Sequence, residues 1–439
     1  MSKAWSTLHV SPCPRLEGEV YVPGDKSISH RAVLLAALAR GRSRVRGFLY
    51  GGDCEATVQA VIALGVSVQR PAPDDLILNS PGPAGWQEPT DVIHCANSGT
   101  TMRLLAGLLA GAPFTSFLTG SAQLRRRPMK RVTQPLRQMG ASILGRQDGA
   151  YAPLAIRGGA LQGITYPLPV ASAQVKSALL LAGLFAEGTT TVHEPGPARD
   201  HTERMLRALG ASLQVEGRTI TVQPLSTPLP AFDWTVPGDI SSAAFLIVAA
   251  LLVDQGEVVI HNVGVNPTRT GLLDVLRMMG ARLELVNIRE VGGEPVADII
   301  ARPSSLRGVT VAGEMVVRMI DEFPIFAVAA TQAEGRTEVR DAQELRVKET
   351  DRIAAVVSEL RKMGAHITER PDGFIVEGPA PLHAAHVDSY GDHRLAMALT
   401  VAGLVASGTT VVEGAGCIAD SYPTFVETLL HLGASVDIL

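Results

Sequence analysis

Along the chain, runs that are apolar on every side alternate with runs that are apolar on one side only. Six of the first kind occur, at residues 32–38, 103–109, 177–184, 244–251, 325–330 and 395–402. A helix with no polar stripe belongs in a core, so each run predicts a buried helix. Each is followed by a glycine, Gly41, Gly111, Gly188, Gly256, Gly335 and Gly408, read as closing that helix, and then by β-rich text such as Thr409-Thr410-Val411-Val412. Next comes an amphipathic run such as Arg204-Met205-Leu206-Arg207-Ala208, ended by a recurring phrase.

That phrase, hydrophobe-Gly-(Ala/Val)-polar, stands at Leu64-Gly65-Val66-Ser67, Met139-Gly140-Ala141-Ser142, Leu209-Gly210-Ala211-Ser212, Met279-Gly280-Ala281-Arg282, Met363-Gly364-Ala365-His366 and Leu432-Gly433-Ala434-Ser435. Its glycines lie 75, 70, 70, 84 and 69 residues apart, and each reads as the residue that turns a helix end into a strand. The chain is therefore six copies of one α/β unit. Val22-Pro23-Gly24-Asp25 recurs as Val236-Pro237-Gly238-Asp239 after three units, behind the proline-rich stretch Pro224, Pro228 and Pro230, so the six divide into two sets of three. Units near 70 residues are too long for a solenoid, whose repeats run from about 20 to 50, and suit two compact domains.

Composition narrows the class. With 46% hydrophobic but only 4% aromatic residues, the cores must be built from Ala, Leu and Val. No apolar run reaches the roughly 18 residues of a membrane span, and the start of the chain lacks a signal-peptide layout, so a cytoplasmic protein is expected. Cys13, Cys54, Cys95 and Cys417 are scattered, which argues against a zinc site or a disulfide framework. A net charge of −4 gives no general attraction to nucleic acid, so anion binding must come from local clustering.

Such clustering appears at the starts of the buried helices, where unpaired N–H groups and the helix dipole attract anions. The first opens Asp25-Lys26-Ser27-Ile28-Ser29-His30-Arg31, with Ser27 and Arg31 on one face. The second opens Asn97-Ser98-Gly99-Thr100-Thr101-Met102-Arg103, where Gly99 lets a ligand approach the backbone. The third opens Ser172-Ala173-Gln174-Val175-Lys176 and the sixth Asp392-His393-Arg394. Any one alone could be a cap with a solvated charge; four equivalent ends together point to anionic ligands. The fifth differs in sign, with Asp321 at its start. Leu345-Arg346-Val347-Lys348-Glu349-Thr350-Asp351-Arg352 packs five charges into eight residues and places Glu349 and Arg352 on one helical face. Leu124-Arg125-Arg126-Arg127-Pro128 offers a further basic loop.

These phrases, with Gly391-Asp392-His393-Arg394, resemble in order and over nearly the whole chain the 5-enolpyruvylshikimate-3-phosphate synthase family, whose members are 3-phosphoshikimate 1-carboxyvinyltransferases. Ser172-Ala173-Gln174-Val175-Lys176-Ser177-Ala178 is similar to the bacterial class II subgroup. The resemblance implies a two-domain inside-out α/β barrel of six βαβαββ repeats, an enolpyruvyl transferase-like fold. It places one domain at 1–22 plus 237–439 and the other at 23–236, with the active site in the cleft between them. It implies transfer of the enolpyruvyl group of phosphoenolpyruvate to the 5-hydroxyl of shikimate 3-phosphate, by a monomer needing no metal or organic cofactor and binding neither nucleic acid nor membrane.

By the same resemblance Lys26, Ser27, Arg31, Ser172, Gln174, Arg199, Asp321 and Lys348 hold shikimate 3-phosphate. Lys26, Gly99, Arg127, Gln174, Arg352 and Arg394 hold phosphoenolpyruvate. Asp321 is the base near the 5-hydroxyl, Glu349 exchanges a proton with the methylene carbon, and Lys26 assists. Gly99 is the small residue that leaves room for the inhibitor glyphosate. One departure stands out: many relatives carry a Lys shortly before the final aromatic-Pro phrase, but Ile418-Ala419-Asp420-Ser421-Tyr422-Pro423 has none, leaving phosphoenolpyruvate one cation fewer. Two other readings compete. UDP-N-acetylglucosamine enolpyruvyl transferase shares the architecture, but typically has Lys-Asn where this chain has Lys26-Ser27, and a loop Cys absent from residues 121–127. A non-catalytic anion-binding repeat protein would not need Asp321 and Glu349 beside so many cations.

Overall fold

The structure, a computed structural model, describes residues 7–439 and divides into two compact units. One comprises Met1–Pro23, Gly238–Arg289 and Pro295–Leu439, the other Gly24–Pro237 and Glu290–Glu294. Five residues within the 237–439 span, Glu290–Glu294, thus belong with the other unit. Each unit has its own hydrophobic core.

All six all-apolar runs are helices: Lys26–Leu38, Gly99–Ala110, Ala173–Gly183, Ile240–Leu252, Phe323–Thr331 and His393–Leu404. Every residue of Ile240–Leu252 except Leu252 is buried, so truncating one of its leucines should cost about 2–5 kcal/mol. With few aromatics to fill space, small residues let these helices approach closely. A Cβ added to Gly107 would lie 2.2 Å from the carbonyl oxygen of Ala178 on the Ala173–Gly183 helix, inside any tolerable contact.

Five of the six helices are capped by their own sequence. Asp25, Ser98, Ser172, Asp239 and Asp392 accept backbone N–H bonds from the first turn, at 2.8–3.5 Å. The exception, Phe323–Thr331, has Pro324 in its first turn, where a missing N–H loses nothing.

The phrase glycines all have positive φ, from +83° at Gly210 to +111° at Gly140, the geometry that ends a helix at no steric cost. The other glycine set behaves differently from expectation. Only Gly111 is itself a helix end, with φ −90°, and a Cβ added there would lie 2.4 Å from Phe185 Cγ. The others lie past the helix, as Gly41 does within the strand Ala39–Arg46.

The first repeat adds a fifth strand, Leu229–Pro230, beside Ala39–Arg46, and the other five repeats each make a four-stranded sheet ordered first, second, fourth, third. In the second repeat these are Ile93–His94, Thr115–Thr119, Tyr151–Arg157 and Ser142–Gly145, the first two parallel across the buried helix. Strands missing locally are supplied from elsewhere in the same unit. Asp233–Thr235 opens the first repeat, with Trp234 opposite Val45; Gly18–Tyr21 opens the fourth; and Thr7–Val10 completes the sixth between Thr410–Glu413 and Val436–Ile438.

Candidate active site

The charged helix starts form one cluster in each unit. In the unit built on Gly24–Pro237, Lys26 is the first residue of its helix and its ammonium pairs with Asp53, a carboxylate that sequence reading passed over. Burial alone would raise the Asp53 carboxyl; Lys26, with lesser help from Arg127, brings it below its usual range.

Arg31 is 4% exposed and spends its guanidinium on the protein. It donates to Thr202 Oγ1 at 2.7 Å, Ser177 Oγ at 2.8 Å and the backbone oxygen of Ser27 at 2.9 Å. The expected Ser27–Arg31 pairing is therefore a side chain on a carbonyl, fastening the first helix to the third. Burial pulls Arg31 down to about 10, a tendency that Glu203, Asp25 and Glu294 oppose and Arg199 adds to.

Gly99 begins the second helix behind the Ser98 cap. A Cβ at Gly99 would meet Arg103 Nη1 at 2.8 Å and Arg127 Nη1 at 3.5 Å, so the glycine is the floor beneath two guanidiniums. Arg103, present in the sequence phrase but given no role there, donates to Gln174 and, at 3.2 Å, to the backbone oxygen of Pro128. Gln174 in turn donates to Thr100 Oγ1 at 2.9 Å. Arg103 is held down to about 10 by burial and by the like charges of Arg127 and Arg131. Its signal was available: an arginine four residues after Gly99 returns to the same helix face.

Ser172 caps the third helix, and Arg199 stands half-buried before the His201–Ala208 helix. Lys176, read as part of this helix's basic character, faces inward instead. It is 1% exposed and lies 2.7 Å from Glu194 and 2.6 Å from Glu203. Burial would lower it, but those two carboxylates hold it above its ordinary value. Lys176 is part of a core ion-pair cluster.

The other unit gathers the second cluster. Asp321 stands between three cations: Lys348 Nζ at 3.7 Å and Arg352 Nη1 at 3.6 Å from Oδ1, and Arg394 Nη2 at 3.8 Å from Oδ2. At these distances the three cations attract the carboxylate without hydrogen-bonding to it. Glu349 lies in the turn before the Arg352–Lys362 helix, which corrects the expected helical face. It still meets Arg352, whose Nη2 donates to its Oε2 at 2.7 Å. Burial would raise Glu349, yet Arg352 and His393 hold it down at about 2.

Arg352 is 2% exposed and donates through Nε to Asp392 Oδ2 at 2.7 Å and through Nη2 to Oδ1 at 3.3 Å. Its Nη1 is buried with no hydrogen-bond partner, a donor held toward Asp321 by everything else the side chain does. Burial opposes its charge, but Asp392, Glu349 and Asp321 raise the guanidinium above its ordinary value. Asp392, read only as part of the sixth helix start, caps that helix and holds Arg352 at once.

Internal duplication sharpens the assignment. The second copy of the opening phrase reads Val236-Pro237-Gly238-Asp239-Ile240-Ser241, with Ile240 where the first has Lys26. Its Asp239 accepts from Arg269 at 3.0 Å, and Ser241 Oγ accepts from the same guanidinium at 2.7 Å. One helix start carries a lysine paired with Asp53, while its twin has an isoleucine there and engages Arg269 through Asp239 and Ser241.

The fold is that of the enolpyruvyl transferases. The crystal structure of the enolpyruvyl transferase NikO from Streptomyces tendae matches 99% of this chain and 99% of its own with a TM-score of 0.79, at 20% identity. EPSP synthase from Acinetobacter baumannii matches with a TM-score of 0.93 at 43% identity, over 99% of this chain and all of that one. Residues 10–429 match the family model of EPSP synthase (3-phosphoshikimate 1-carboxyvinyltransferase). The 3-phosphoshikimate 1-carboxyvinyltransferase of Desulforudis audaxviator is 54% identical over 97% of this chain and 99% of its own, and that of Geobacter sulfurreducens 54% over 96% and 98%. The chain belongs to the EPSP synthase family.

Proposed function

We propose that this chain transfers the enolpyruvyl group of phosphoenolpyruvate to the 5-hydroxyl of shikimate 3-phosphate, releasing inorganic phosphate. The observation that carries the reading is the surroundings of Asp321, a carboxylate ringed at 3.6–3.8 Å by Lys348, Arg352 and Arg394. Cations this close to a carboxylate, yet not hydrogen-bonded to it, keep capacity for anions. They favour both anionic ligands and the ionised form of the acid, the form a general base needs. Charge-assisted bonds of this kind contribute about 1.5–3 kcal/mol each.

The steps follow from the groups. Asp321 removes the proton from the 5-hydroxyl as its oxygen attacks C2 of phosphoenolpyruvate, while C3 gains a proton and becomes a methyl group. In the second half a proton leaves that methyl, the double bond re-forms and the C2–O bond to phosphate breaks. Glu349, held at about 2, is a carboxylate at neutral pH and suits the second half as base. For the first half its proton affinity must rise, and an anionic donor beside Arg352 does this by offsetting the guanidinium that depresses it. Lys26, Gly99, Arg127, Gln174, Arg352 and Arg394 bind phosphoenolpyruvate; Lys26, Ser27, Arg31, Ser172, Gln174, Arg199, Asp321 and Lys348 bind shikimate 3-phosphate. The reading requires residues of both units to act on one pair of ligands. It also takes the enzyme to be a cytoplasmic monomer. Relatives at 54% identity favour neither the UDP-N-acetylglucosamine reaction nor a non-catalytic role.

The test is phosphate release dependent on both substrates. Asp321→Asn and Glu349→Gln should each keep shikimate 3-phosphate binding and lower turnover by about 10²–10⁴. Near-normal turnover in both would remove their roles.

A further inference from the structure

Behind Lys26 and Gly99 runs a file of side chains that no step above uses. His30 Nδ1 lies 2.6 Å from Thr57 Oγ1, which lies 2.7 Å from Thr101 Oγ1. Thr101 reaches two further groups, Ser98 Oγ at 2.8 Å and the backbone oxygen of Asp53 at 3.3 Å. His30, Thr57, Thr101 and Ser98 are all 0–1% exposed, so no solvent can substitute for a missing partner.

One order of protons satisfies every contact in this file. The Asp53 carbonyl can only accept, so the single hydroxyl proton of Thr101 points toward the Asp53 and Ser98 end. Thr57 must then donate to Thr101, and His30 must donate from Nδ1 to Thr57. That leaves His30 Nε2 as a bare lone pair, and it is the ring atom buried without a partner. Burial, reinforced by the charge of Lys26, holds the ring down at about 3, so it stays neutral at any working pH.

The file ends on both sides of the phosphoenolpyruvate site. Ser98 caps the helix that Gly99 opens, and Asp53 carries the carboxylate that pairs with Lys26. Thr101 touches both, so it is the joint between them. We propose that His30, Thr57 and Thr101 are positioning residues that fix Lys26 and the Gly99 helix start relative to one another for phosphoenolpyruvate. This rests on the proposed function above.

The experiment pairs kinetics with nitrogen NMR of the full chain. Thr57→Val keeps the shape and removes the hydroxyl. It should raise KM for phosphoenolpyruvate about tenfold, the equivalent of one buried hydrogen bond, leaving kcat and the Kd for shikimate 3-phosphate within about twofold. Thr57→Ser restores the hydroxyl and should recover KM to within about twofold of the unmodified protein. In the unmodified protein the His30 ring should carry its proton on Nδ1, a readout independent of whether any variant folds. An unchanged KM in Thr57→Val, a Thr57→Ser as impaired as Thr57→Val, or a His30 proton on Nε2 would each overturn the inference. Failure of the unmodified chain to release phosphate from the two substrates would instead defeat the proposed function, and this inference with it.

Discussion

Arg352 and Asp392 form a buried two-point ion pair: Nε and Nη2 of the guanidinium donate to the two carboxylate oxygens at 2.7 and 3.3 Å, with the side chains 2% and 0% exposed. Because Asp392 fixes two of the three guanidinium nitrogens, the third, Nη1, has one orientation. Asp392→Asn keeps the helix cap but removes the charge that Arg352 needs in a low-dielectric site. Breaking a buried ion pair costs about 3–5 kcal/mol when the remaining charge has no other partner, and less here because Glu349 and Asp321 still face Arg352. The variant should unfold at lower denaturant and show a raised KM for phosphoenolpyruvate, checked by urea titration and by kinetics.

Glu349 gives a pH dependence of known sign. Its folded-state value, about 2, lies below its ordinary 4.5, so the ionised form stabilises the fold. That contribution is complete above about pH 4.5 and is lost as pH falls toward 2. Glu349→Gln should therefore flatten the acid limb of a stability–pH curve in that window while leaving the slope above pH 5 unchanged. Urea midpoints across about pH 3 to 7 measure it.

Lys176 sits between Glu194 and Glu203 at 2.7 and 2.6 Å, away from water. Lys176→Met leaves two carboxylates buried together and should cost about 3–5 kcal/mol of stability. Because this ammonium holds core carboxylates, KM for phosphoenolpyruvate should stay within about twofold in the fraction that folds. Thermal unfolding and kinetics on the same sample separate the two effects.

Gly99→Ala places a methyl group 2.8 Å from Arg103 Nη1, which must move and loosen its bond to Gln174. Phosphoenolpyruvate should bind several-fold more weakly, since about 1 kcal/mol is lost with one such bond. Glyphosate should compete with phosphoenolpyruvate in the unmodified chain and compete less well in the variant. Inhibition kinetics with both ligands check this.

Much of the molecule was written locally. The six buried helices were legible because an apolar run with no polar stripe has one use, and their starts because Asp25, Ser98, Ser172, Asp239 and Asp392 are capping residues within three positions of the groups they bind. The turns at Gly65 or Gly433 were legible because few residues other than glycine adopt positive φ freely.

What escaped was everything decided by partners distant in the chain. Lys176 carries the same letter whether it faces a ligand or Glu203, 27 positions on. Asp53 gained meaning only when folding brought it to Lys26, and Arg103 when Gln174, 71 residues away, reached its guanidinium. Glu349 was placed on a helical face because spacing alone fits one, yet the helix begins at Arg352.

The sequence by itself determined six repeats, their buried helices and the cationic character of several helix starts, because helix periodicity and capping are set within a few residues. Only the tertiary structure decided that Thr7–Val10 completes the sixth sheet and Asp233–Thr235 opens the first, and that Arg352 belongs to Asp392 while Lys176 belongs to Glu194 and Glu203. Strand edges and charges accept many partners of the right type, and which one they meet depends on where the packed core carries them.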